Sequence, residues 1–134
     1  MLSVVREHIQ QRMGTKQKEL VEFLRSEVGD SLRAVGKYDR EGYRVLYARD
    51  DVVNEFSQED IEKIHHEMVL KGLGNQHIES LFNDEELECS IYQFENIVRL
   101  HFVKEDYLGH YVSFDYSGEI NPSRIVDKCK ELLQ

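Results

Sequence analysis

The sequence predicts an α+β domain whose helices and strands follow the order α-β-β-α-β-β-β-α. Three observations support this. The spacing of apolar residues changes from helical steps to alternation and back, short Gly- or Asn-containing connections separate the alternating runs, and a capping sequence, Ser57-Gln58-Glu59-Asp60, precedes the middle helical run. A length of 134 residues is enough for one domain to bury a core without disulfides or metal.

The first helical pattern has a break near its middle. Apolar residues recur at helical steps throughout, and Gly14-Thr15 interrupts them. The stretch is therefore either one long helix or an N-terminal helical arm (residues 1–15) followed by the first helix of a single domain (residues 16–134), which ends at Gly29. The apolar stripe consists of Leu2, Val5, Ile9 and Met13, then Leu20, Leu24 and Val28.

Two alternating runs follow, Ser31–Tyr38 and Tyr43–Arg49, and a four-residue connection ending in Gly42 predicts a hairpin between them. Strict alternation would place Leu32 and Tyr38 on one face of the first strand. It would likewise place Val45 and Tyr47 on one face of the second. The residues from Asp50 to Ser57 are expected to form a loop.

The middle helix is expected to begin after Ser57 and to end at Gly72-Leu73-Gly74, with Asn75 capping a short further helix. Three strands and a closing helix complete the pattern. The strands centre on residues 87–94, 97–103 and 110–116, and Asn121-Pro122 begins the last helix. Cys89 and Cys129 lie among apolar neighbours and are expected to be buried free thiols.

The charge of the chain is strongly acidic and unevenly distributed. The net charge is −9; residues 1–29 carry about +1 and residues 30–134 about −10. No basic residue lies between Lys71 and Arg99, a stretch with six carboxylates that include Asp84, Glu85 and Glu86. Such a surface repels phosphate backbones, so nucleic-acid binding is not expected.

The sequence contains no pattern typical of a catalytic, metal or cofactor site. His65-His66 lacks a second histidine four residues on, and adjacent helical residues point about 100° apart. His101 and His110 lie on neighbouring strands and are expected to be cross-strand partners. No apolar run is long enough to span a membrane, and the charged N-terminus is unlike a signal peptide, so a cytoplasmic protein is expected.

The order of elements resembles the roadblock dynein-light-chain fold, a profilin-like five-stranded antiparallel sheet with the first and last helices on one face and the middle helix on the other. Several segments are also similar to a family of small uncharacterised archaeal proteins: Gly42–Val52, Gly72–Gly74, Leu87–Cys89, Tyr92–Glu95 and Leu100–Phe102. The roadblock resemblance implies dimerisation through the middle helix and an edge strand, here residues 57–71 and 87–95.

We therefore expect a non-enzymatic, cytosolic protein-interaction or adaptor module that forms a homodimer and binds an unidentified protein. The alternative is a small-ligand sensor with a pocket between sheet and helices near His101, His110 and Tyr92. The apolar stripe of the arm is expected to be helical over residues 1–13 and to mediate self-association or partner binding. The expected partner-binding residues are Leu2, Val5, Ile9, Met13, Asp84, Glu85, Glu86 and Tyr92.

Overall fold

The computed structural model describes residues 14–82 and 85–134. Its helices are α1 (Thr15–Val28), α2 (Asp50–Val53), α3 (Gln58–Leu81) and α4 (Pro122–Leu133), with one 3₁₀ turn over Gly29–Ser31. Its strands are β1 (Leu32–Tyr38), β2 (Tyr43–Ala48), β3 (Cys89–Gln93), β4 (Ile97–Glu105) and β5 (Leu108–Asp115).

The five strands form one antiparallel sheet in the order β2-β1-β5-β4-β3, so β2 and β3 are its edges. Helices α1 and α4 cover one face, where Leu24, Ile125 and Phe114 belong to the larger apolar core. Helix α3 covers the other face, where Ile61 packs with Tyr38 and Val53 in a smaller core. This is the arrangement of layers that the roadblock resemblance implies.

Capping side chains fix the starts of the two helices as predicted. The Ser57 hydroxyl accepts the Asp60 N–H at 3.1 Å, and the Asp60 carboxylate accepts the Ser57 N–H at 2.9 Å. This is a complete capping box. The Asn121 side chain accepts the Ser123 N–H ahead of α4, whose first residue is Pro122.

The predicted end of the middle helix at Gly72-Leu73-Gly74 is wrong, because α3 continues without a break for 24 residues. Gly72 is a packing position. A Cβ there would lie 3.1 Å from the Tyr38 hydroxyl, so glycine allows the helix to approach the sheet closely. Asn75 is accordingly a buried residue inside the helix and not the cap of a second one.

Two β-bulges correct the predicted faces of the first two strands. Arg33 is an extra residue against β5, so Leu32 packs in the larger core while Tyr38 packs in the smaller. Leu46 is an extra residue against β1, so Tyr47 turns to the face opposite Val45. The expected loop after β2 also contains the short helix α2, which buries Val52 and Val53.

Candidate functional site

The large exposed apolar side chains of the described residues all lie on α3, at its end, or on and beside β3. Leu70, Ile78 and Leu81 follow helical steps along the exposed side of α3. Phe82 is the most exposed, at 73%, and Phe94 is 53% exposed. We call this the α3–β3 surface, and its members are Leu70, Ile78, Leu81, Phe82, Ile91 and Phe94.

The two edges of the sheet differ in how they present their backbone. Edge strand β2 carries the bulge at Leu46, and three of its six residues are buried on one face or the other. A bulge of this kind disrupts the regular row of donors and acceptors that another strand needs for pairing. Edge strand β3 pairs with β4 in unbroken register, and none of its side chains is fully buried. The described edge best suited to accept a further strand is therefore β3.

The acidic stretch before β3 is partly used inside the molecule. The Glu79 carboxylate accepts the Leu87 N–H at 3.0 Å, and Glu88 forms an ion pair with Lys130 of α4. Glu85 and Glu86 are exposed, and their expected role in partner binding stays a prediction. Tyr92 is half-buried, with the Lys71 ammonium 5.9 Å from its ring centroid. Asp84 and the arm residues Leu2, Val5, Ile9 and Met13 lie outside the described residues.

A cavity of about 420 Å³ lies between the first half of α3, α2 and the sheet. We call it the α3 cavity. Its walls are mainly apolar side chains from both layers: Val45, Ala48, Val52, Phe56, Ile64 and Met68. The polar groups on its lining include Arg33, Lys63, Glu67, Arg99, Tyr111 and Ser113. This is the size and composition typical of a small-molecule pocket.

The two histidines cannot line one pocket as expected, because they lie on opposite faces of the sheet. His110 lines a separate cavity of about 270 Å³ beside α4. In the β4–β5 register His101 pairs with Tyr111, while His110 pairs with Phe102. His101 therefore faces α3 and His110 faces α4. The predicted cross-strand pair was wrong because the strands are offset by one residue, which reverses the face. The α3 cavity is lined by Tyr111 and Arg99 and by neither histidine.

His101 instead forms a buried pair with Tyr38. Its Nε2 lies 2.7 Å from the Tyr38 hydroxyl, and both side chains are almost completely buried. Burial lowers the pKa of His101 to about 4 and raises the pKa of Tyr38 to about 12. Both groups are therefore neutral near pH 7, and the pair stabilises the packing of α3 on the sheet.

His110 and the two cysteines are also held in their neutral forms. Burial, with Lys37 and Lys104 nearby, lowers the pKa of His110 to about 4. Burial raises the pKa of Cys89 and of Cys129 to about 12. Cys129 is fully buried as predicted, whereas Cys89 is only half-buried. Thiols in this state are poor nucleophiles.

Within residues 14–82 and 85–134, no group of three or more His, Cys, Asp or Glu side chains is placed to hold a metal ion. Over the same residues no helix is both long and apolar enough to cross a bilayer.

Comparison with known proteins places the fold and the family. No curated protein matches the chain. Among solved structures, the gliding protein MglB from Thermus thermophilus superposes with a TM-score of 0.58 at 16% identity, over 90% of this chain and 86% of that one. A structure described as MglB with tetrameric arrangement superposes with a TM-score of 0.55 at 15% identity, over 90% of this chain and 92% of that one.

These structures confirm the predicted fold class, a five-stranded antiparallel sheet flanked by helices with the same order of elements. The archaeal origin implied by the sequence resemblance stays a prediction. A family model matches residues 18–134, which is most of the chain. The chain therefore belongs to the family described as a domain of unknown function, DUF7522.

Proposed function

We propose that this domain is a non-enzymatic protein-interaction module that forms a homodimer through its α3–β3 surface. The observation that carries the proposal is the position of the six large exposed apolar side chains of the described residues, all on α3 and around β3. Scattered apolar residues on a surface need no explanation, but their concentration on one helix and around one open edge strand is typical of an interface. Ile91, the register partner of Leu100, lies on the α1–α4 face of that strand.

The open edge strand supports a specific mode of pairing. Two copies that align their β3 strands antiparallel would join their sheets into one of ten strands, with new backbone hydrogen bonds along β3. The same operation brings the exposed sides of two α3 helices toward each other, where Leu70, Ile78 and Leu81 lose contact with water. A two-fold arrangement uses one surface on both copies, as most soluble homo-oligomers do.

The structural neighbours support self-association as a proposal but do not indicate which surface of this chain would be used. One of them is described as having a tetrameric arrangement. At 15% identity the likeness carries the fold alone, so the mode of association rests on the exposed residues of this chain.

The state of the reactive residues supports a non-enzymatic role. Cys89 and Cys129 are held as neutral thiols, and His101 is committed to Tyr38 in the interior. The exposed Glu85 and Glu86 would then form an acidic rim beside the dimer surface and favour a partner with a basic patch, to which Asp84, next to them in the sequence, is proposed to add its charge.

The dimer is tested by analytical ultracentrifugation of the full chain and of the variants Leu81→Glu and Ile91→Lys. We expect the parent to sediment as a dimer at micromolar concentration and both variants to sediment as folded monomers. The control is Ser123→Glu, which adds one exposed negative charge on α4, in the opposite layer. A monomeric parent, or a dimer that neither variant weakens, would rule out this surface.

The N-terminal arm is proposed to strengthen association, through Leu2, Val5, Ile9 and Met13. Deletion of residues 1–13 is expected to leave a cooperatively melting domain with a weaker dimer. An unfolded deletion variant would instead assign the arm to the core, and an unchanged dimer would remove its proposed role.

A further inference from the structure

The α3 cavity contains more positive charge than the rest of this acidic protein would lead one to expect. Arg33, Lys63 and Arg99 lie on its lining with one carboxylate, Glu67. The chain as a whole has a net charge of −9. By contrast, the lining residues of the cavity include three cations and one carboxylate.

Two of these cations already have carboxylate partners. Arg33 lies 3.4 Å from Glu55 and 3.6 Å from Asp115, and Lys63 lies 3.3 Å from Glu59. Neither side chain can pair with an anionic ligand unless it gives up an existing ion pair.

Arg99 differs, since within the part of the chain that the structure describes it forms no ion pair. Its guanidinium stacks on the Phe94 ring, 4.7 Å from the centroid, and lies near Tyr111, where its charge opposes the rise that burial causes in the pKa of that hydroxyl. Arg99 is half-buried. A guanidinium that is partly removed from water loses hydration, and here no ion pair with an anion among the described residues offsets that loss.

The groups beside Arg99 complete a small polar end to an otherwise apolar cavity. Arg99 is the direct cross-strand partner of Ser113, whose side chain is 4% exposed and lines the cavity. Tyr111, on the same strand as Ser113, also lines it. The guanidinium fork of Arg99 matches the planar, two-oxygen geometry of a carboxylate, and two hydroxyl-bearing side chains line the same cavity.

We propose that the α3 cavity binds an amphipathic monocarboxylate, a molecule of the medium-chain fatty-acid class. Its hydrocarbon chain lies between α3 and the sheet, against Ile64 and Met68, and its carboxylate pairs with Arg99. Arg99, the lining cation that forms no ion pair among the described residues, can balance the one negative charge of a monocarboxylate. A cavity of about 420 Å³ has room for a hydrocarbon chain of this length.

This binding is separate from the proposed self-association. The cavity and the α3–β3 surface share no lining residue among those described, and the contact that links them is the stacking of Arg99 on Phe94. Carboxylate binding and dimerisation can therefore be tested separately, because Leu81→Glu and Ile91→Lys change no residue that lines the cavity.

The test is isothermal titration of the full chain with decanoate and with 1-decanol, below their aggregation concentrations, and amide NMR shifts to locate the binding site. We expect one decanoate per chain, with shifts at residues around the cavity. Replacement of Arg99 by Gln is expected to weaken decanoate binding about tenfold or more, since a hydrogen bond to a charged group contributes about 1.5–3 kcal/mol, and to leave 1-decanol binding unchanged.

A matched control and a second variant keep the outcome decisive. Arg124→Gln removes an exposed arginine of α4 that pairs with Glu27 at 3.4 Å, and should leave both affinities unchanged. Ala48→Phe fills the cavity and should abolish both. Absence of saturable binding, equal weakening by the two arginine variants, or shifts confined to the α3–β3 surface would each overturn the proposal.

Discussion

The two buried histidines predict that the protein loses stability in mild acid. The part of this loss that is due to His101 can be measured separately. The pKa of His101 is about 4 in the folded protein, against an ordinary value of 6.5, because burial and the nearby Lys71 disfavour its charged form. The unfolded chain therefore takes up a proton first as the pH falls. The contribution of His101 is complete above about pH 6.5 and is lost progressively as the pH falls toward 4.

The magnitude follows from the size of the pKa difference. Each pKa unit corresponds to about 1.4 kcal/mol, so lowering the pH from 7 to 5 removes about 2 kcal/mol through His101. His110, whose pKa is also lowered to about 4 by burial and by Lys37 and Lys104, removes a similar amount. Against a typical free energy of unfolding of about 5–15 kcal/mol, the combined loss is large.

The assay is urea denaturation at pH 7 and at pH 5, at fixed ionic strength and protein concentration. Replacement of His101 by Gln keeps a polar partner for Tyr38 and removes the titrating group. The variant is expected to be less stable than the parent at pH 7 but to lose about 2 kcal/mol less between the two pH values. His66→Gln, on the exposed side of α3, serves as the control. Equal losses in the parent and in His101→Gln would refute the reasoning.

Three further predictions concern packing, capping and thiol reactivity. Replacement of Gly72 by Ala should gain the usual helix stabilisation of about 0.5–1 kcal/mol only in a Tyr38→Phe background, because the new Cβ would otherwise lie 3.1 Å from the Tyr38 hydroxyl; equal gains in both backgrounds would contradict this. Ser57→Ala should lower the free energy of unfolding by about 1 kcal/mol, measured by urea denaturation, because it removes half of the capping box. Cys129, which is fully buried, should react with a thiol reagent at pH 8 only after urea is added, and half-buried Cys89 should react slowly in the folded chain because its pKa is raised to about 12; fast labelling of either thiol in the folded chain would contradict this.

The order of elements was predictable because each change of period coincides with a strong local signal. Ser57 and Asp60 form the capping box that the sequence pattern indicates, and Pro122 begins α4. Where the prediction was wrong, the deciding contact is distant in sequence. Rules based on neighbouring residues predict that a helix ends at Gly72. The reason for glycine there is the nearby Tyr38 side chain, which belongs to β1.

The candidate site was less accessible to sequence reasoning. The apolar character of Ile78, Leu81 and Phe82 was evident, but sequence does not reveal which apolar faces the rest of the fold leaves uncovered. The α3 cavity was missed because the bulge at Arg33 changes which side chains of β1 face α3. The alternation of β1 fails at Val35, an apolar residue that directly follows Ala34, and that failure is the signal that was available.

The unequal cores on the two sides of the sheet divide the molecule into layers that should open at different free energies. Among the described residues, fifteen buried apolar residues form the larger core under α1 and α4, whereas five form the smaller core under α3, next to the cavity. Amide hydrogens of α3 should therefore exchange through partial opening, while those of the central strands β1 and β5 exchange only on global unfolding. The layer that contains both the α3–β3 surface and the cavity is thus the one able to rearrange while the remainder of the domain stays folded.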